Sequence, residues 1–265
     1  MQPPHLLVPR LAYNRRFTGI IFMSVDPMPR VVAHRGASGY APENTLAAIQ
    51  LAAEQGATWI EIDVNISLDG VPLLHHDDGL ERCTNGSGLV IEHDIESLSK
   101  LDSGQWFDEK YAGERIATLK QCLDLCLELG LSINLEVKPC SGWEIPTTTR
   151  IAETLNLQKD LPPILISSFS HFALQCAEKL LPAIPRSSLF LVAPPDWREL
   201  TNEVKASNIH LHANSLLTAE SVAQFHAADL GVYCYTVNTT EKANSIYQLE
   251  VDGVFTNYPV DLLTP

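Results

Sequence analysis

Two carboxylates, Glu61 and Asp63, stand two residues apart in a run whose neighbours Trp59, Ile60, Ile62 and Val64 are apolar. In an extended chain, residues i and i+2 share a face and lie about 7 Å apart at the backbone. Two acids on one face repel unless something cationic sits between them. A third acid, Glu136, falls in the next main apolar run and can converge on the pair. Three carboxylate donors suit a hard divalent cation, Mg²⁺ or Ca²⁺, with Mn²⁺ a third candidate. The competing reading is a solvated strand face. The apolar flanks weigh against it, because a buried carboxylate needs a partner.

Cationic and titrating groups accompany the acids. Arg35 has the geometry to clamp a phosphate bidentately. Lys138 lies two residues beyond Glu136 and shares its face, either to pair with a carboxylate or to meet an anionic substrate. His34 and one of the pair His75–His76 add groups that titrate near neutral pH. Adjacent residues of a strand point to opposite faces, so alternation alone leaves the choice within that pair open. A metal, a guanidinium and two imidazoles are the parts needed to break a phosphodiester. The cations offset transition-state charge, one imidazole removes a proton and the other protonates the departing alkoxide. Glu43 and Asn44 occur in Pro-Glu-Asn-Thr, just before a helical pattern. Asn44 or Thr45 can cap that helix, and Glu43 either adds charge to the site or holds Arg35.

The elements that would position these groups follow from periodicity. Short β-branched runs alternate with helical patterns from Pro29 onward. Eight main strands are predicted to start at residues 31, 59, 132, 164, 187, 209, 232 and 253. A short extended piece, Val71–Leu74, follows the Asp69-Gly70 turn. Helices are predicted at Thr45–Gln55, Leu119–Leu129, Trp143–Leu155, His171–Leu181, Trp197–Lys205, Ala219–Ala228 and Thr240–Leu249. Eight β–α units match a (β/α)₈ barrel, in which functional groups gather at the C-terminal ends of the strands. A doubly wound open sheet is the alternative, but no GxGxxG follows the first strand, which removes its dinucleotide-binding form. Residues 79–117 lack clear periodicity and read as an inserted excursion. Residues 1–28 read as a disordered extension, or as sequence upstream of a start at Met23 or Met28, ahead of a barrel domain over 29–265.

The 265 residues are 45% hydrophobic, enough for a sizeable core, and the net charge is -14. Such an acidic chain argues against broad binding to nucleic acid or an anionic membrane. No apolar run approaches the length of a membrane span. None of the six cysteines forms a CxxC pair, and Cys122 and Cys126 share a helical face as core thiols, which points to a reducing compartment, the cytoplasm. Nothing in the sequence sets an oligomeric state.

Taken together, AHRGASGYAPENT, EIDVNISLDGVPLLHHDDGLERCTNG, LEVKP, ISSF, YTVN and DGVFTNYP resemble the glycerophosphodiester phosphodiesterase family in order and spacing, from Val31 to Pro259. The resemblance implies a TIM barrel with a small insertion after the second histidine motif. It implies metal-dependent hydrolysis of a small glycerophosphodiester to sn-glycerol 3-phosphate and an alcohol. His34 and His76 match its catalytic histidine pair, and Glu61, Asp63 and Glu136 its metal ligands. Arg35 and Lys138 match positions near the phosphate, and Glu43, Phe169 and Tyr235 are assigned to the substrate with them. His75 then occupies a normally apolar slot, and Asp77 is read as orienting the site. Three departures stand out: Tyr235 where Trp is usual, Asn257 where Asp is usual, and Gly79 where Thr is common. All three are expected to lie clear of the catalytic set. The rival readings are a phospholipase-type barrel acting on lysophospholipid or phosphoinositide, and a non-catalytic binding barrel.

Overall fold

A computed structural model describes residues 28–263. The elements run β1 (Val31–His34), α1 (Leu46–Glu54), β2 (Trp59–Ile66), β3 (Pro72–Leu74), α2 (Ile95–Leu98), α3 (Leu119–Leu129) and β4 (Ser132–Val137). They continue α4 (Glu144–Leu157), β5 (Ile164–Ser168), α5 (His171–Leu180), β6 (Arg186–Phe190), α6 (Trp197–Glu203), β7 (Ala206–His212), α7 (Ala219–His226), β8 (Gly231–Tyr235), α8 (Thr240–Tyr247), β9 (Gly253–Thr256) and α9 (Pro259–Leu263). Eight strands pair in parallel around a closed ring, β1–β2–β4–β5–β6–β7–β8–β9 and back to β1. The protein is a TIM barrel, as expected, and each expected main strand begins within a few residues of its predicted start. The expected extension over residues 1–28 lies outside the described residues except for Met28, which is buried and packs against the barrel floor.

Strand β2 explains the plan. Every one of its residues is buried, yet their types alternate. Ile60, Ile62 and Val64 join the core between barrel and helices, with Ile133, Leu135, Ile164 and Ile166 of the neighbouring strands. Trp59 turns inward and forms an apolar floor with Val32, Leu165, Tyr233 and Phe255. Above that floor the inward positions Glu61 and Asp63 are polar. The period of two therefore records inside against outside of a closed barrel, not core against solvent.

Strand β2 also outruns its neighbour. Four-residue β1 registers against Ile60 and Glu61, whereas β3 folds back antiparallel onto Val64–Ile66. The turn between them uses Gly70 at φ 79°, and Ser67 Oγ accepts from Val71 N–H at 2.9 Å. This hairpin raises His75 and His76 over the barrel mouth. The excursion over 79–117 departs from and returns to the same hairpin: Leu73 bridges Thr118, and Leu74 N–H donates to Ala117 C=O. It carries its own small core of Leu80, Val90, Leu98 and Ile116 packed on Leu73. That side-chain cluster, rather than long helices, orders the segment, which is why periodicity did not reveal it. No helix among the described residues is long and apolar enough to cross a membrane.

Ile62 is fully buried, directly behind the acids. Its truncation to Ala removes about 2–5 kcal/mol of unfolding free energy. Urea unfolding of Ile62→Ala against the parent protein reads this as a lower midpoint at unchanged slope.

Candidate active site

The acids converge. One carboxylate oxygen from each of Glu61, Asp63 and Glu136 lies within 4.8 Å of the others, and all three side chains are buried. Their positions follow from register: Asp63 pairs with Glu136 across β2 and β4, and Glu61 lies one inward step below. Burial first, then the charges of Asp63 and Glu136, pushes Glu61 well above the usual carboxylate range. Burial and the Asp63 charge raise Glu136 to about 7. Burial also works to raise Asp63, but Arg35, His76 and Lys138 outweigh it and hold that carboxyl low. Glu61 Oε1 is a buried acceptor without a hydrogen-bond partner. An orphaned oxygen among repelling acids is the environment a divalent cation satisfies, so these residues fit one.

The chain supplies cations of its own. Arg35 Nε lies 3.1 Å from Asp63 Oδ2, an ionic contact lacking hydrogen-bond alignment, and Nη1 lies 2.7 Å from Glu43 Oε1. Its backbone N–H donates to Glu61 Oε2 at 2.9 Å. That approach requires a left-handed backbone at Arg35, φ 57°, which opposes a β-carbon by roughly 1–2 kcal/mol. Gly36 follows at φ 78°; a β-carbon there would stand 2.6 Å from the backbone of Ala48 in α1. Lys138 Nζ sits 3.0 Å from Glu136 Oε1 and 3.9 Å from Asp63 Oδ1. Its ammonium also rests over the Phe169 ring at 5.2 Å, which meets Tyr235 edge-on at 5.8 Å. The Tyr235 hydroxyl is committed to Phe190 C=O at 2.9 Å, so this residue offers its ring to the mouth.

The two histidines differ. His34 Nε2 lies 3.8 Å from Glu61 Oε2, while Nδ1 lies 2.7 Å from Asn257 Oδ1. Burial, with Arg35 adding to it, lowers its pKa to about 4. His76 is partly exposed and turns Nδ1 to Asp77 Oδ1 at 2.5 Å. Burial lowers its pKa too, against the pull of Asp63. His75 is buried elsewhere, with Nε2 2.9 Å from Gly79 C=O.

Four residues matter here that the sequence left with a lesser role or none. Asn44 does not cap α1, since Thr45 does that through Ala48 N–H. Asn44 instead grips Asp63 twice, Nδ2 to Oδ2 at 2.9 Å and Oδ1 from the Asp63 N–H at 3.0 Å. Arg82 bridges Asp77 and Glu43, with contacts of 2.5 and 2.8 Å, and joins the His76 arm to the Arg35 arm. Glu43 is thereby held between two guanidiniums. Asn257 corrects an expectation: the departure at that position does touch His34, one of the two histidines expected to be catalytic, because the β9 end lies beside the β1 end and delivers the amide to it. Asn238 seats Asn257 in turn, accepting its backbone N–H at 2.9 Å. The only sequence signal for Asn44 was redundancy, two capping residues where a helix needs one. Arg82 and Asn238 had none beyond membership of quoted motifs, and Asn257 stood out only as a departure from the usual Asp.

The geometry has known counterparts. Residues 34–261 match the model of the glycerophosphoryl diester phosphodiesterase family. The glycerophosphodiester phosphodiesterase of Bacillus subtilis is 32% identical, over 86% of this chain and 83% of that protein. A second relative of that name, from Caldanaerobacter subterraneus, is 30% identical over 88% of this chain and 96% of that one. A solved phosphodiesterase from Oleispira antarctica, in complex with the product sn-glycerol-3-phosphate, has a TM-score of 0.86 and 38% identity. It aligns over 89% of this chain and 96% of its own.

Two predictions arise from these contacts. Arg82→Met leaves Asp77 and Glu43 without their shared cation, so kcat toward a cleavable diester falls about tenfold or more while the fold, read by circular dichroism, persists. The second concerns pH. Folded Glu136 holds its proton up to about 7 against an ordinary 4.5, so the stability this group contributes is present at low pH and lost as pH rises through that window. A divalent cation held by the three acids would displace that proton. The cation's increment in melting temperature is therefore larger at about pH 8 than at about pH 5.5, as scanning fluorimetry would show.

Proposed function

This chain belongs to the glycerophosphoryl diester phosphodiesterase family, and we propose that it hydrolyses small glycerophosphodiesters to sn-glycerol 3-phosphate and an alcohol. One observation carries the reading: the buried triad Glu61, Asp63 and Glu136, with its orphaned Glu61 oxygen, is flanked by Arg35, Lys138 and two histidines. The product bound by the Oleispira antarctica relative supports the same substrate class.

Glu61, Asp63 and Glu136 are the residues that would hold a divalent cation, Mg²⁺ or Ca²⁺ with Mn²⁺ as third candidate. When bound, such an ion offsets charge building on the phosphate oxygens. Arg35 and Lys138 supply positive charge beside the acids, and with it an attraction for a phosphate diester. Phe169 and Tyr235 form an apolar wall for the departing alcohol. His34, partly buried and held neutral by desolvation and by Arg35, takes a proton at Nε2 from the nucleophile, either the substrate's own 2-hydroxyl or water. His76 gives a proton to the leaving alkoxide, and Asp77, fixed by Arg82, supports its charged form. Glu43 holds Arg35 and Arg82 in place. The six free cysteines, five of them buried, support a cytoplasmic location.

A second reading, a diester whose leaving alcohol carries an acyl chain, is favoured by apolar groups exposed at the mouth: Phe169, Phe172, Leu191 and Val192. Lysophosphatidylcholine turned over faster than glycerophosphocholine would select it. No turnover of any diester with Mg²⁺, Ca²⁺ or Mn²⁺ would leave a binding barrel.

A coupled assay for glycerol 3-phosphate tests the main reading. Chelation by EDTA abolishes turnover of glycerophosphocholine, and added cation restores it. His76→Leu lowers kcat by about 10²–10⁴-fold. His75→Leu stays within a few-fold of the parent, because among the described residues its ring hydrogen-bonds a turn carbonyl and none of the acids. Equal losses at the two positions would reject the assignment.

A further inference from the structure

His34 is gripped from behind by an amide. Its Nδ1 lies 2.7 Å from Asn257 Oδ1. Asn257 is itself fixed through both backbone groups: its N–H donates to Asn238 Oδ1 at 2.9 Å, and its C=O accepts from Gly39 N–H at 2.8 Å. Thr256 Oγ1 also donates to Asn238 Oδ1, at 3.4 Å. Val237 N–H donates to Phe255 C=O at 2.8 Å, which ties the segment bearing Asn238 to β9. A continuous set of hydrogen bonds thus runs from the segment after β8, through the end of β9, to the last residue of β1.

A neutral imidazole carries one N–H, and an amide oxygen can only accept. The hydrogen therefore belongs on Nδ1, and the lone pair on Nε2, the nitrogen nearest the acid cluster. We propose that Asn257, seated by Asn238, is a positioning residue that locks His34 in the Nδ1–H tautomer and presents its Nε2 lone pair to the acid cluster. His76 sits in a different setting, since its Nδ1 partner is a carboxylate. A carboxylate orients an imidazole and also stabilises its charged form; an amide orients it and lends no charge. The two rings thus differ in what stands behind them, an amide at His34 and a carboxylate at His76. The proposal rests on the reading of His34 as the proton acceptor.

The test uses the full-length, metal-loaded protein with ¹⁵N-labelled histidine, the His34 ring signals being assigned by their loss in His34→Gln. Multiple-bond ¹H–¹⁵N spectra then report the tautomer directly. The parent protein shows His34 with a protonated Nδ1 and an unprotonated Nε2. Asn257→Leu, which keeps volume and removes the acceptor, loses that signature. It also lowers kcat on glycerophosphocholine about 100-fold or more with KM within about twofold, the pattern of a ring held in the wrong tautomer. Asn257→Asp keeps an acceptor and restores the signature, with kcat within about tenfold of the parent. Asn238→Ala, which loosens only the seat, falls between the two. Calcium affinity measured by calorimetry is unchanged throughout.

An Nε2–H tautomer in the parent protein would overturn the proposal, since the amide would then present its nitrogen to the ring. Parent-like kcat in Asn257→Leu would overturn it as well, and so would a loss of kcat matched by a loss of calcium affinity. The tautomer is read without turnover. A parent protein inactive on every diester but carrying Nδ1–H would uphold the lock and refute the proposed activity.

Discussion

Three acids crowded into the mouth of a closed barrel set the terms for everything around them. Glu61, Asp63 and Glu136 lie within 4.8 Å of one another in buried surroundings. Like charges that close cannot all ionise unaided, so the structure around them is a system for delivering positive charge. Arg35 comes from β1, Lys138 from the end of β4 and His76 from the hairpin beyond β2, each by a different backbone route. The left-handed backbone at Arg35 and the close packing at Gly36 make sense only as parts of that delivery. Glu61 and Glu136 remain raised even so, and the three acids together could hold a divalent cation.

The compensating groups are themselves linked. From His76 the contacts run through Asp77, Arg82, Glu43 and Arg35 to Asp63. This joins the hairpin, the foot of the excursion and the segment before α1 into one network. Buried and half-buried charges of this kind are costly when one member is lost, because each partner is left desolvated and unpaired. The small core of the excursion has a purpose in this light. Leu80 is anchored there, two residues before Arg82, so the bridging guanidinium springs from an ordered base.

Much of the barrel was legible in the chain. Eight β-branched runs, spaced by amphipathic helices, carry their periodicity locally, and a local pattern survives whatever the neighbours do. The polar–apolar alternation of β2 was legible as well, together with the shared face of Glu61 and Asp63. Strand ends were less so: β7 begins at Ala206, ahead of its apolar stretch, because pairing with β6 extends it across polar residues. The hairpin strand β3 was visible only as an extended piece. Its antiparallel placement depends on β2 outrunning β1, a comparison between strands and not a property of either.

The sequence by itself determined the fold class, the inventory of acids, bases and cations, and their placement at strand ends, because residue type and period two or 3.6 are written locally. It could not decide partners. Asn257 meets His34 across 223 residues, and Arg82 meets Glu43 across 39. Asn44 grips Asp63 across 19 residues, although a capping role lay one residue away from the helix. Only closure of the barrel brings the end of β9 beside the end of β1, and that geometric fact turned a single amide from a peripheral departure into the neighbour of a histidine.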